Sequence, residues 1–296
     1  MPELPEVQAL AERMTAACAG RSIAHVEVLS FQVLKTFDPP ISALDGQPVA
    51  GVGRHGKFLD LSTGDLSTGD GPGLHLVLHL ARAGWVRHRD SFPARTEPLR
   101  AGRGPLALRL TLDDGSGFDV TEQGTTKRLA AYLVSDPRLV PGISRLGVDP
   151  LSEDFTPDVL TALTAAAHHR LKTVLTDQTV LAGIGNAYSD EILHAARLSP
   201  YALAPSLGEE EHHRLYVAIR EVLGEALDRA RSTTADALKA EKKAGLAVHG
   251  RVGETCPRCG DTVRSVVFSE SSLQYCPTCQ TGGRVLADRR LSRLLK

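Results

Sequence analysis

LKTVLTDQTVLAGIGNAYSDEILHAARLSP, residues 171–200, is the stretch from which the chain is best read. Its apolar positions keep a helical period up to about Asp177 and again from about Asn186, so two helices flank a short break. Within the break, Gly183-Ile184-Gly185 permits tight turns and a close approach of backbone to an anion. Asn186 is placed to cap the second helix, and its amide can donate to a phosphate oxygen. Helix N-termini are natural phosphate sites, yet a plain packing turn between two helices carries the same letters. The stretch fixes a helical domain and leaves open what its turn holds.

Downstream, CPRCG (256–260) and CPTCQ (276–280) give C-x2-C-x16-C-x2-C. Each close pair brings two thiolates to one ion from a single turn, and two pairs complete a tetrahedron. Cys256, Cys259, Cys276 and Cys279 are therefore expected to hold one zinc ion in a closed, structural site. The intervening DTVRSVVFSESSLQY suits a β-hairpin. Arg251, Arg258, Arg264 and Arg284 surround the module and can grip phosphates. The fifth cysteine, Cys18, continues the helical stripe Val7, Leu10, Ala11 and Met14, so it is read as packing. This distribution does not fit a disulfide framework and does fit a metal site in a reducing compartment.

Upstream the texture is β. IAHVEVL, FLDLS, HLVLHLA, LALRLTL, FDVTE and AAYLV lie between Ile23 and Val134, separated by Gly, Asp and Pro clusters, as in a sandwich or barrel. The tandem LSTGDLSTGD (61–70) reads as a lengthened hairpin loop. Residues 135–150 look like a connection, and helical periodicity then dominates. TPDVLTALTAAAHHRLKTVLTD (156–177) and EEEHHRLYVAIREVLGEALDRAR (209–231) are its clearest helices. The pairs His168/His169 and His212/His213 lack ligand spacing and are expected on the surface.

With 42% hydrophobic and 23% charged residues, the 296-residue chain has the composition of a soluble globular protein of about two domains. No apolar run approaches the ~18 residues of a membrane span, so an intracellular protein is expected. A net charge of −1 alone argues against a nucleic-acid partner. Residues 231–296, however, hold twelve Lys/Arg against six Asp/Glu, a basic end on an acidic body that suits local contact with a polyanion.

The opening MPELPEV (1–7) admits two readings. Leu4-Pro5-Glu6 can simply start a helix, with Glu6 complementing its dipole. Alternatively Pro2, once Met1 is removed, presents a secondary amine with Glu3 beside it. An α-amine of pKa roughly 7.7–8.0 is partly neutral and nucleophilic near pH 7.

MPELPEV, RHGKFL (54–59), LAGIGNAYSDE (181–191) and the terminal C-x-x-C…C-x-x-CQ occur in one order, with LGVDPLSEDF (146–155) and LAVHGRVGETC (246–256) between them. Together they resemble the formamidopyrimidine-DNA glycosylase/endonuclease VIII family of bifunctional base-excision-repair enzymes. The resemblance implies an α+β multidomain fold: an N-terminal β-sandwich with a leading helix (1–135), a linker (136–150), a helix–two-turn–helix DNA-binding domain (151–245) and a C-terminal zinc-finger hairpin (246–296). It implies that Pro2 attacks C1′ of the damaged nucleotide through a Schiff base and that Glu3 is the acid–base partner, while Glu6 either supports the site or only complements the helix dipole. Lys57 would serve lyase chemistry and hold phosphate. Asn186 would contact the DNA backbone, and the retained His79 would contact phosphate. Damaged DNA is the expected partner, of a monomer in the cytoplasm and associated with the nucleoid.

Several positions depart from the family pattern. Ser271 stands about where relatives carry an Arg associated with δ-elimination, so β-elimination alone is expected unless Arg264 or Arg284 substitutes. HLARAG puts Arg82 where relatives place a wedge Met, and QGTTKRLA (123–130) replaces the D-P-R-R-F-G wedge, leaving Lys127 or Arg128 for that role. STTADALKAEKKAGL (232–246), with Lys239, Lys242 and Lys243, looks shorter than the loop that covers 8-oxoguanine. The other reading these departures allow is a lesion- or DNA-binding protein that kept the scaffold and lost the chemistry.

Overall fold

Helix α1 (Leu4–Cys18) buries Val7, Leu10, Ala11, Met14 and Cys18 along one stripe, and burial pushes the Cys18 thiol up to about 11. That thiol is packing, not chemistry. The helix also seals a sheet edge. Thr15 Oγ1 accepts from the Val52 N–H (2.9 Å) and donates to the Val52 carbonyl (3.0 Å), while Arg54 Nε donates to Gln8 Oε1 (2.9 Å). An edge strand that would otherwise present unpaired backbone groups is covered. The computed structural model describes residues 1–64, 73–92, 104–123, 126–235, 237–267 and 272–287; the second half of the LSTGDLSTGD tandem, Ser271 and the Lys239 side chain lie outside the described set.

The strands are β1 (Ile23–Val28), β2 (Val49–His55), β3 (Phe58–Thr63), β4 (His75–His79), β5 (Gly84–Arg89), β6 (Leu106–Leu112), β7 (Gly117–Glu122) and β8 (Ala130–Val134). They form two antiparallel four-stranded sheets, β1-β6-β7-β5 and β2-β3-β4-β8. Period-two burial supplies the core of this sandwich: Leu59 pairs with Leu78 and Leu61 with Leu76 in one sheet, Leu108 with Val120 and Leu110 with Phe118 in the other. Two strands, β2 and β5, carried no clear signal in the sequence. Both are outermost in their sheets, where glycines (Gly51, Gly53) and charges (Arg87, Arg89) are tolerated because only one side is paired.

The chain divides into two compact units, Met1–Arg145 with Thr234–Asp236, and Leu146–Thr233 with Ala237–Lys296. The second contains α2 (Pro157–Ala166), α3 (Leu171–Thr176), α4 (Asn186–Ala195), α5 (Glu209–Ser232), α6 (Leu238–Gly245), the hairpin β9 (Arg264–Val267)–β10 (Ser272–Tyr275) and α7 (Pro277–Thr281). The single helix expected over 156–177 is two helices. The Leu171 N–H bonds the Ala202 carbonyl and the Ala204 N–H bonds the His169 carbonyl, so the backbone near Arg170 is extended and paired elsewhere. His168, His169 and His213 are exposed, as expected. His212 corrects that expectation: its ring is half-buried, 2.8 Å from Thr164 Oγ1 and 3.0 Å from the Gly208 carbonyl, and ties α5 to α2. The 232–246 stretch is not a plain loop, since α6 forms within it, with Leu238 buried and Lys242 over the Tyr188 ring at 4.3 Å.

Gly147 fixes how the lead-in to the second unit meets the turn after α3. A Cβ there would lie 2.3 Å from the Val180 carbonyl oxygen, while the Gly147 N–H bonds Gln178 O and the Val148 N–H bonds Val180 O. Backbone cannot swing away as a side chain can. Gly147→Ala should therefore cost about 1–3 kcal/mol, read as a lowered urea midpoint with an unchanged m-value.

Candidate active site and metal centre

Pro2 and Glu3 are buried, although they sit at a chain end, where residues normally fray. Glu3 is the N-cap of α1, and its own N–H donates to Glu6 Oε2 at 2.8 Å in a reciprocal capping box. Glu6, 3% exposed, thereby helps hold the chain end. Met1 is exposed and acylates the Pro2 nitrogen, so a nucleophilic amine requires its removal.

Lys57 occupies the two-residue turn between β2 and β3, where His55 pairs with Phe58. Gly56, with φ of 54°, supplies the left-handed first position that this tight hairpin needs. Across the sheet Phe58 pairs with His79, their rings 4.7 Å apart, and His79 pairs with Ala130. Burial, and secondarily Lys57, lower the His79 pKa, so its imidazole is neutral at pH 7. His55 is engaged structurally: its Nε2 meets buried Asp60 at 3.0 Å, and Asp60 also receives His75 Nδ1 at 2.9 Å.

The same end of the sandwich carries Arg82, Lys127 and Arg128. Arg82 is exposed at the turn joining β4 to β5, and the Gln123 N–H bonds the Ala83 carbonyl of that turn (3.2 Å). Buried Glu122 accepts from the Arg128 N–H (2.6 Å) and the Leu129 N–H (2.9 Å), and the Lys127 ammonium bonds the Glu122 carbonyl. Residues 127–129 are pinned while the side chains of Lys127 and Arg128 stay exposed and Leu129 is buried. Because Thr15 meets Val52 and Gln8 meets Arg54, α1 points its N-terminus toward the Lys57 turn. Pro2, Glu3, Lys57, His79, Arg82, Lys127 and Arg128 are thus brought to one end of the first unit.

In the second unit the turns between α3 and α4 are organised by Gln178. Its Nε2 donates to Thr176 O (2.9 Å) and Ile184 O (2.8 Å), and its Oε1 accepts from the Gly183 N–H (2.9 Å). The N-cap of α4 is Gly185; Asn186, expected as the cap, is instead the first helical residue. From Leu181 to His194 it is the one residue that is not buried. Lys172 fixes the helix behind it, donating to Asn186 O (3.1 Å), Ser189 Oγ (2.8 Å) and Asp190 Oδ1 (2.5 Å). Asp190 also bonds His249 Nδ1 (2.8 Å), and Glu191 accepts from the N–H groups of Ala247, Val248 and His249 at 2.7–2.9 Å. Burial still raises the Glu191 pKa against those three bonds. Sequence reasoning missed these residues, although adjacent acids inside an apolar, buried helix were the available signal, since buried charges must be paired.

The four cysteine sulfurs lie within 4.8 Å of one another, with Cys256 and Cys279 Sγ at 3.9 Å and Cys259 and Cys276 Sγ at 3.3 Å. Four convergent thiols and no other ligand type suit a closed tetrahedral zinc site. The β9–β10 hairpin joins the two pairs, Val267 opposite Ser272 and Arg264 opposite Tyr275. Arg284 is exposed beyond α7.

Three family descriptions match in this order: the formamidopyrimidine-DNA glycosylase N-terminal domain over 1–128, the formamidopyrimidine-DNA glycosylase H2TH domain over 146–237, and a zinc finger found in FPG and IleRS over 253–282. A formamidopyrimidine-DNA glycosylase of Pelotomaculum thermopropionicum is 34% identical over 295 residues, spanning 95% of this chain and 99% of its own. The chain belongs to the formamidopyrimidine-DNA glycosylase family. An uncharacterised formamidopyrimidine-DNA glycosylase-like protein of Mycobacterium tuberculosis is 56% identical over 151 residues, 51% of this chain and 94% of its own. Among solved structures, MutM of Thermus thermophilus is 32% identical with a TM-score of 0.76, covering 94% of this chain and 98% of that one. MutM in complex with DNA containing carbocyclic 8-oxo-G is 27% identical with a TM-score of 0.79, covering 95% and 100%. This family member is accordingly a DNA-repair glycosylase with a DNA-binding fold and one structural zinc on Cys256, Cys259, Cys276 and Cys279. No helix among the described residues is long and apolar enough to cross a membrane.

Proposed function

We propose that this glycosylase is bifunctional, excising damaged bases from DNA and cleaving the resulting abasic site by β-elimination through a Schiff base on Pro2. The observation that carries the proposal is the burial and capping of residues 2–6, an ordering that binding alone does not require. After removal of Met1, the neutral Pro2 nitrogen bonds to C1′ as the bond from C1′ to the base breaks, and the base leaves with the bonding pair and takes up the proton that the Pro2 nitrogen gives up. Glu3 delivers a proton to the ring oxygen, and the sugar opens to a cationic iminium between C1′ and the Pro2 nitrogen. That iminium is an electron sink. Loss of a C2′ proton breaks the C3′–O bond, the 3′ phosphate departs, and water hydrolyses the iminium to regenerate the amine.

The other residues hold the substrate. The target nucleotide must leave the stack for its sugar to be reached, and Arg82 is the proposed filler of the gap, with Lys127 and Arg128 beside it. Lys57, neutral His79, Asn186 and Arg284 hold phosphates. β-Elimination without δ-elimination is the proposed end point, given Ser271 at the position of the family Arg. A DNA substrate places the protein at the nucleoid.

A 5′-labelled duplex with one abasic site tests the reading. Scission to a product ending in an unsaturated aldehyde is expected; a duplex that is bound but uncut would leave a DNA-binding relative without the chemistry. Lys57→Met should weaken binding to different sequences alike and lower the slope of log K against log salt by about 0.9, measured by fluorescence anisotropy between two salt concentrations.

A further inference from the structure

Helix α4 ends against the zinc knuckles. Arg258 Nη1 donates to the Ala195 carbonyl (3.2 Å), and Gln280 Nε2 donates to the Leu198 carbonyl (3.0 Å) while its Oε1 accepts from the Cys276 N–H (2.9 Å). A third contact reaches a ligand atom itself. His194 Nε2 lies 3.3 Å from Cys256 Sγ, and the two residues are 5% and 1% exposed. A ring nitrogen buried to this degree is costly unless it is bonded. A zinc-bound thiolate has no proton to give, so the imidazole N–H must be the donor.

We propose that His194 is a positioning residue of the zinc centre, donating its Nε2–H to the Cys256 thiolate. The bond aims that sulfur and draws charge from it, and so slows loss of the metal. Side chains that bond to metal ligands in this way change metal affinity by about 10–100-fold. The residue sits on the helix that begins at Asn186, so one helix carries both the phosphate-facing turn and the support for the metal. The inference stands apart from the lyase chemistry and holds whether or not Pro2 reacts.

Cobalt(II), loaded in place of zinc, reports on the sulfur directly through its thiolate-to-metal charge-transfer band. Losing the hydrogen bond raises the energy of the sulfur lone pair, so His194→Phe should move the band to lower energy. The same variant should release zinc to a chromogenic chelator about 10–100-fold faster than wild type. His194→Gln keeps a donor and should fall between the two in both measurements. If His194→Phe does not fold by circular dichroism, His194→Asn, too short to reach the sulfur, takes its place. An unmoved band, or a release rate equal to wild type, overturns the assignment.

Discussion

Glu3→Gln is expected to lower base excision by about 10²–10⁴-fold, the range for removing a positioned general acid. The effect should be selective. On a preformed abasic site the base is already gone and the sugar opens spontaneously to its aldehyde, so the Pro2 amine can still condense. Covalent trapping on an abasic site should therefore survive in the variant that has lost excision. The fold should survive too, because an amide oxygen at the N-cap of α1 can still accept from the first helical turn. Single-turnover kinetics on a lesion-containing and an abasic duplex separate the two activities. Equal loss of both would assign Glu3 to holding the chain end instead of moving protons.

The second large effect is loss of the metal. The core of the zinc module is small: Val248, Cys256, Val263 and Cys276 form one cluster, and Val266, Leu273 and Tyr275 another. Two four-residue strands with so little apolar cover are marginal without a further tie. Zinc in small modules contributes roughly 10–16 kcal/mol at pH 7, far more than these clusters can. Cys276→Ser should leave the purified protein with less than one zinc per chain and open the module. Limited proteolysis is then expected to cut within residues 246–287 while leaving the sandwich, which has its own core, intact. DNA binding should weaken with it. A variant that keeps full zinc and resists the protease would show that three thiolates suffice.

Much of this architecture was legible because chemistry and periodicity agreed. The paired cysteines, the stripe of α1 and six of the eight sandwich strands announce themselves through spacing alone. The strands that did not, β2 and β5, are edges, where the requirement for alternation relaxes. The break before α3 was invisible for a different reason. Ala165-Ala166-Ala167 has high helix propensity, and only the pairing of residues 169–171 with 202–204, distant in sequence, overrides it. Asn186 was found but its place was off by one, since Gly185 takes the cap. The supports of the two centres, Gln178, Lys172, Asp190, Glu191 and His194, were missed as single polar letters in apolar helices and turns. Apart from Thr176, which Gln178 meets two residues back, their partners lie from 5 to 62 residues away, a distance no local pattern records.

Borohydride trapping on an oligonucleotide with one abasic site tests the central claim most directly. The wild type, freed of Met1, should give a protein–DNA band stable to denaturation, and a form that retains Met1 should give none while still binding the oligonucleotide. Pro2→Gly, which offers a primary amine at the same place, should give a weaker band. An equal band from the Met1-retaining form would contradict the account and move the nucleophile elsewhere, Lys57 being the first residue to examine.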